Sequence, residues 1–213
     1  MRAAISGGES LSGFVGSVAS SSPTPGGGSV AAHAGALAAA LAQMVAGLTV
    51  GKKKYAAVDA EMRELAVRAA GLGNTLSGLV ARDASAYAIV SAAYKLPAES
   101  EAQQREKAAK IDEALLHAAE VPLETARACA AVAELALAVA QRGNTNAASD
   151  AGVAALLAEA GCVGASYNVR INVSALSDRG QGTALSDEAK ALVARTRDLV
   201  SRTTEIVEKA LLA

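Results

Sequence analysis

The chain has 213 residues, a formal net charge of −1, 52% apolar residues and 19% charged ones. Near-neutrality excludes a general nucleic-acid binder, which needs a basic surface, and no Trp, one Phe and four Tyr leave too few rings to stack on single strands. The length suffices to bury a core, and the apolar content excludes disorder.

Fifty-four alanines and only four prolines predict an all-α fold, because alanine is the best helix former and a poor strand residue. Ser10 is placed to cap a short helix over residues 11 to 20, with Leu11, Phe14, Val15 and Val18 on one face. The run Ser20-Ser21-Ser22-Pro23-Thr24-Pro25-Gly26-Gly27-Gly28-Ser29 cannot propagate a helix; it reads as a loop ending in an N-cap serine. Residues 30–50 carry no formal charge over 21 positions, long enough to span a bilayer. A membrane span is nevertheless not expected. Most of these residues are Ala and Gly, His33 and Gln43 interrupt them, and no second comparable run is read elsewhere. Ala31, Gly35 and Ala39 form a stripe that permits close helix contact. A helix apolar on all sides reads as a buried central one.

Gly51-Lys52-Lys53-Lys54-Tyr55 closes this helix, the lysines complementing its dipole. A long helix over residues 58–94 follows, weakened by Gly71, Gly73 and Gly78 and ended by Leu96-Pro97. Ser100 opens a polar helix to residue 119, and Pro122 fits the first turn of another, over residues 123–141. Gly143-Asn144-Thr145-Asn146-Ala147-Ala148-Ser149-Asp150 is a second distinctive loop, with Gly143 as C′ residue and Ser149 or Asp150 capping a helix to residue 161. Residues 164–176 alternate like a strand, but an isolated strand has no partner, so they are assigned to a helix. Residues 177–183 read as a loop, and Ser186 as the cap of a last helix to residue 211. The expectation is a bundle of about eight helices in one domain, 1–213, with no internal repeat.

Four constellations stand out. Pro25, Gly26, Gly27, Gly28 and Ser29 precede a helix start, where free N–H groups attract anions or carbonyl oxygens; their ordinary role is a tight connection, and the P-loop spacing is absent. Lys52, Lys53 and Lys54 are either a solvated helix end or a basic site for a carboxylate-rich ligand. Asp83 falls at helical spacing with Leu76, Leu79, Val80 and Tyr87, on the apolar face of its helix. A carboxylate packed there holds its proton more tightly, as general acid/base work requires; the alternative is an exposed Asp beside Arg82. Asn144, Asn146, Asp150, Asn168 and Asn172 offer donors and acceptors that suit a heteroaromatic amide ring, or serve as caps and interhelical bonds. His33 and His117 are lone histidines, and no catalytic triad is assembled by motif spacing. Cys129 and Cys162 belong to no CxxC or Cys/His cluster, so they read as reduced core thiols in a cytoplasmic protein, with no metal site. Residues 1–10 hold no secretory apolar run.

These stretches, in this order, resemble the cyclodeaminase/cyclohydrolase family of folate enzymes. The likeness rests on Pro23-Thr24-Pro25-Gly26-Gly27-Gly28-Ser29-Val30-Ala31-Ala32, Met44-Val45-Ala46-Gly47-Leu48-Thr49, Gly51-Lys52-Lys53-Lys54-Tyr55 and Asp83-Ala84-Ser85-Ala86-Tyr87. Leu96-Pro97, Val121-Pro122, Gly143-Asn144, Ser149-Asp150, Gly164-Ala165, Asn168-Val169 and Ile171-Asn172 extend it over nearly the whole chain. The resemblance implies a helical homodimer with a folate site near the partner. Asp83 would be its catalytic acid/base, with the Gly-rich loop, the lysines, Tyr87 and the Asn/Asp positions lining it. A tetrahydrofolate derivative is then the substrate, polyglutamylated where the lysines meet its tail, and no separate cofactor, nucleic acid or membrane is called for. His33 and Ala98 depart from the family pattern.

Both family reactions pass through a folate with a one-carbon bridge between N5 and N10. The 213 residues leave no room for the transferase domain fused to the animal enzyme, so the expected reaction is hydrolysis of 5,10-methenyltetrahydrofolate to 10-formyltetrahydrofolate. The alternative is formimidoyltetrahydrofolate cyclodeamination with release of ammonia. A non-catalytic helical scaffold is the reading from another class; it explains the alanines but not the polar and Gly-rich loops beside apolar helices.

Overall fold

The computed structural model describes residues 10–212; the expectation about the first residues therefore lies outside the described ones, apart from Ser10. Six α-helices carry the chain: α1 (Leu11–Val18), α2 (Gly27–Gly47), α3 (Asp59–Tyr94), α4 (Glu101–Arg142), α5 (Ala148–Ser174) and α6 (Thr183–Leu211). Short 3₁₀ turns at Lys53–Val58, Thr145–Ala147 and Arg179–Gly182 join them, and the described residues contain no strand. The all-α expectation holds, and residues 164–176 are helical.

The expected eight helices become six because two pairs are continuous. Residues 149–161 and 164–176 run together in α5, since nothing between them ends a helix. The other fusion is less obvious, because Pro122 lies inside α4. Proline has no N–H, so the Ala118 carbonyl four residues earlier loses its helical donor. The Asn172 side chain of α5 donates to that carbonyl at 2.8 Å, and α4 passes through. Through that amide N–H, Asn172 ties α5 to α4. The expected caps are corrected likewise. Ser10 and Ser100 do cap, Ser100 with a capping box through Gln103. Ser29 lies within the first turn of α2, Ser149 and Asp150 within that of α5, and Ser186 within that of α6, whose helix starts at Thr183.

Helix α2 is the axis of the assembly. It lies antiparallel to α3, with Ser29 beside Asp83 at one end and Gly51 bonded to Asp59 at the other. It is also antiparallel to α5, with Gly27 against Asn168 and Leu48 bonded to Asn144. The backbones nearly touch. A methyl group on Gly35 would lie 2.6 Å from the Cys129 sulfur of α4, and one on Gly161 would lie 2.8 Å from both that sulfur and the Ala31 carbonyl. The small-residue stripe is thus a seat for three helices. Helix α6 closes the far side through Arg127–Glu188, Arg195–Glu134 and Arg197–Glu159 pairs.

Two expectations about α2 are corrected. It is not buried on all sides: Val30, Leu37, Met44 and Leu48 are exposed along one edge, which no other helix among the described residues covers. It is also not alone in length and apolarity. The segment Thr145–Ser174 passes the same test, since Ala and Gly outweigh its scattered charges, and 44% of each helix's most apolar stretch is buried inside the bundle.

Candidate active site

Helix α2 begins without a side chain on its N-cap, Gly26, to satisfy its first N–H groups. A side chain from another helix takes that place. The Ser29 hydroxyl donates to Asp83 Oδ2 at 2.8 Å, and the Ser29 backbone N–H also faces the carboxyl group. The carboxyl lies directly on Gly28: a methyl group there would sit 2.1 Å from Oδ1. Gly28 is therefore needed for close approach. Leu76, Leu79 and Val80 are buried on the same face of α3, as the periodicity predicts.

Two influences compete at Asp83. Burial raises the pKa of its carboxyl, while the Ser29 hydroxyl and N–H lower it; burial prevails, and Asp83 holds its proton above the ordinary carboxylate range. The neighbouring Arg82 does not offset this, because both of its terminal nitrogens donate to Glu124 of α4. Such a carboxyl, half-buried and still partly exposed, is suited to both taking and returning a proton.

Asn168 joins this end: its amide group lies against Gly27 and donates to Gly164. Tyr87, one turn beyond Asp83 on α3, is exposed, as is Tyr167, the residue before Asn168. Pro25 and Gly26 lead into the site as half-exposed loop residues.

The other expected residues gather at the opposite end of α2. Lys52, Lys53 and Lys54 are exposed, and none forms an ion pair among the described residues. Gly51, at φ 76°, turns the chain there in a conformation that favours glycine. Tyr55 exchanges bonds with Thr145, whose hydroxyl and N–H hold the phenol below its usual pKa. Asn144 is buried and engaged: its N–H bonds Thr49, its amide nitrogen bonds Leu48, and its amide oxygen receives Asn146. Asn146 is exposed, and Asp150 lies in the first turn of α5. One chain therefore divides the expected residues into two groups separated by the length of α2, about 31 Å for its 21 residues.

Two cavities lie elsewhere. One of about 640 Å³ runs between α5 and α6, lined by Leu156, Arg197 and Glu208 among others, and one of about 460 Å³ runs between α3 and α4, lined by Ile89, Leu96 and His117 among others. Neither is lined by Asp83, which is partly exposed. Among the described residues no three His, Cys, Asp or Glu side chains converge as metal ligands would.

A family model described as formiminotransferase-cyclodeaminase matches residues 10–191. The chain is 43% identical over 204 residues to a methenyltetrahydrofolate cyclohydrolase of Methylorubrum extorquens, covering 96% of this chain and 98% of that protein. It is 38% identical over 169 residues, 79% of its length, to the formimidoyltransferase-cyclodeaminase of Mus musculus, of which the match spans only 31%. The crystal structure of formiminotetrahydrofolate cyclodeaminase from Thermotoga maritima superposes with a TM-score of 0.86 at 33% identity, covering 95% of this chain and 98% of that one. With a family match over most of its length and a shared helical architecture, the chain belongs to the formiminotransferase-cyclodeaminase family.

Proposed function

We propose that the chain is a folate one-carbon enzyme that hydrolyses 5,10-methenyltetrahydrofolate to 10-formyltetrahydrofolate, with Asp83 as general acid/base. The carrying observation is the carboxyl group of Asp83, half-buried at the glycine-lined start of α2 with its proton affinity raised. The 43% identity to a cyclohydrolase, against 33% to a solved cyclodeaminase, favours hydrolysis over cyclodeamination.

The substrate is a cation delocalised over N5, the bridge carbon and N10. A carboxylate beside that carbon stabilises the charge in a site of low dielectric. Water attacks the bridge carbon and its proton passes to Asp83. Asp83 returns the proton to N5, the bond from carbon to N5 breaks, and the hydroxyl proton leaves to solvent as the formyl carbonyl forms on N10. One water is consumed and one proton released. The same residue serves the deaminase direction by protonating departing ammonia, which is the second reading and is favoured by the cyclodeaminase fold match.

The working unit in this reading is a homodimer. Asp83 and the lysine turn lie about 31 Å apart along α2, farther than a folate with one glutamate extends. A second copy packed antiparallel on Val30, Leu37, Met44 and Leu48, the exposed edge of α2, sets its lysine turn beside Asp83 and covers the apolar residues. The lysines then meet the glutamate tail. We take α2 and α5 as helices of a water-borne bundle and the two buried cysteines as reduced thiols of a cytoplasmic enzyme.

The deciding experiment follows methenyltetrahydrofolate absorbance with wild type and Asp83→Asn, beside formimidoyltetrahydrofolate with ammonia detection. Expected is wild-type decay of the chromophore above the buffer rate, reduced about 10²–10⁴-fold in Asp83→Asn. Equal traces would overturn the assignment, and ammonia release without methenyl hydrolysis would transfer it to the cyclodeaminase. Leu37→Glu should yield monomers by sedimentation and lose activity; an active monomer rejects the dimeric site.

A further inference from the structure

We infer that Ser29 is a positioning residue that never meets substrate, and that it donates to one carboxyl oxygen of Asp83 in both protonation states, leaving the other oxygen to take and return the proton. The inference rests on Asp83 being the general acid/base and adds how both of its protonation states are held in one place.

Ser29 has no solvent exposure, so the expectation that it binds ligand does not fit its position. Its oxygen lies 2.8 Å from Asp83 Oδ2 and 3.2 Å from the Val80 carbonyl. A hydroxyl has one hydrogen and two acceptor sites. It can therefore donate to only one of these oxygens at a time. While Asp83 is a carboxylate, Ser29 donates to it. When Asp83 takes a proton from the attacking water on its other oxygen, Oδ2 remains an acceptor and Ser29 continues to donate to it. The proton therefore sits on the oxygen that Ser29 leaves free, and passes from there to N5. Neither state leaves a buried polar group unpaired, which would otherwise hinder one of the two transfers.

No charged group competes for this role. Arg82 is paired with Glu124 of α4, and α2 carries no Asp, Glu, Lys or Arg; its His33, one turn beyond Ser29, has its ring against Phe14 at 4.7 Å. On α5, Arg170 and Tyr167 are exposed, and on α3 Tyr87 is exposed.

The test compares Ser29→Ala, Ser29→Cys and Asp83→Asn by circular dichroism and by kcat and KM for methenyltetrahydrofolate across pH, after subtracting buffer hydrolysis. Loss of a donor to a charged acceptor raises the acid limb of kcat in Ser29→Ala by about one to two pH units, with kcat lower about tenfold or more at neutral pH and KM within twofold. Ser29→Cys, which keeps the size and a weak donor, falls between and decides the matter if Ser29→Ala does not fold. A pH profile coincident with wild type in the folded variant, or a higher KM with unchanged kcat, overturns the inference and leaves Asp83 intact as catalyst. Wild-type kcat in Asp83→Asn instead removes the reading on which it rests.

Discussion

The carboxyl group of Asp83 rests on the α-carbon of Gly28, so close that a single methyl group would lie 2.1 Å from Oδ1. Helix α2 cannot give way there, because Gly35 about two turns further on is seated against Cys129 and Leu76.

Gly28→Ala is therefore expected to rotate Asp83 out of place rather than to unfold the chain. A displacement near 1 Å at a reacting group lowers rate about 10²-fold. The loss should fall on kcat, with helical circular dichroism unchanged. Wild-type turnover by this variant contradicts the seating of Asp83.

Stability should respond to Asp83 in the opposite sense from activity. Its folded-state pKa lies above that of the unfolded chain because of burial, so the folded state binds the extra proton and stability falls as pH rises through the folded value. Below the unfolded value, about 3.9, both states are protonated and the favourable difference is fully present. Asp83→Asn should thus melt higher than wild type at pH 7, each kcal/mol appearing as about 2–4 °C, and the gap should close near pH 3. A gap that is absent at pH 7, or that widens on acidification, contradicts this ordering.

Asn172 and Pro122 should be coupled through Ala118. Asn172→Ala removes the donor to the Ala118 carbonyl and should cost about 1–3 kcal/mol in urea unfolding. Pro122→Ala restores a backbone N–H to that carbonyl, so the second change should cost much less when made together with the first. Strict additivity of the two in a double-mutant cycle is the result that defeats the pairing.

The lysine turn should govern affinity and not chemistry. Replacing Lys52, Lys53 and Lys54 together by Ala should raise KM more for polyglutamyl than for monoglutamyl substrate and leave kcat unchanged. The difference should shrink as salt is added, because these side chains are exposed. Unchanged affinity for both substrates excludes the tail contact.

Much of the bundle was legible from periodicity and capping. The Ser100 capping box, the apolar face that carries Asp83 and the glycine-led start of α2 each depend on neighbours within a few residues. What was not legible depends on distant partners. Pro122 signals a helix start by local rules and is overruled by an amide from α5, 50 residues later in sequence. Ser29 carries the signature of a cap, and only the packing of α3 shows that its hydroxyl serves Asp83. The apolar pattern of α2 could not tell helices of the same chain from a covering outside it. The candidate site was legible as a set of residues but not as two separate groups, since the direction of α2 between them is a property of the fold.

The seat where Gly35 and Gly161 press α2 against α4 and α5 has a kinetic meaning of its own. A rod gripped at its midpoint transmits tilt to both tips. Bulk introduced at the grip should therefore disturb proton handling at the amino tip and charge capture at the carboxyl tip in step, so that kcat and KM deteriorate together from a position that touches neither.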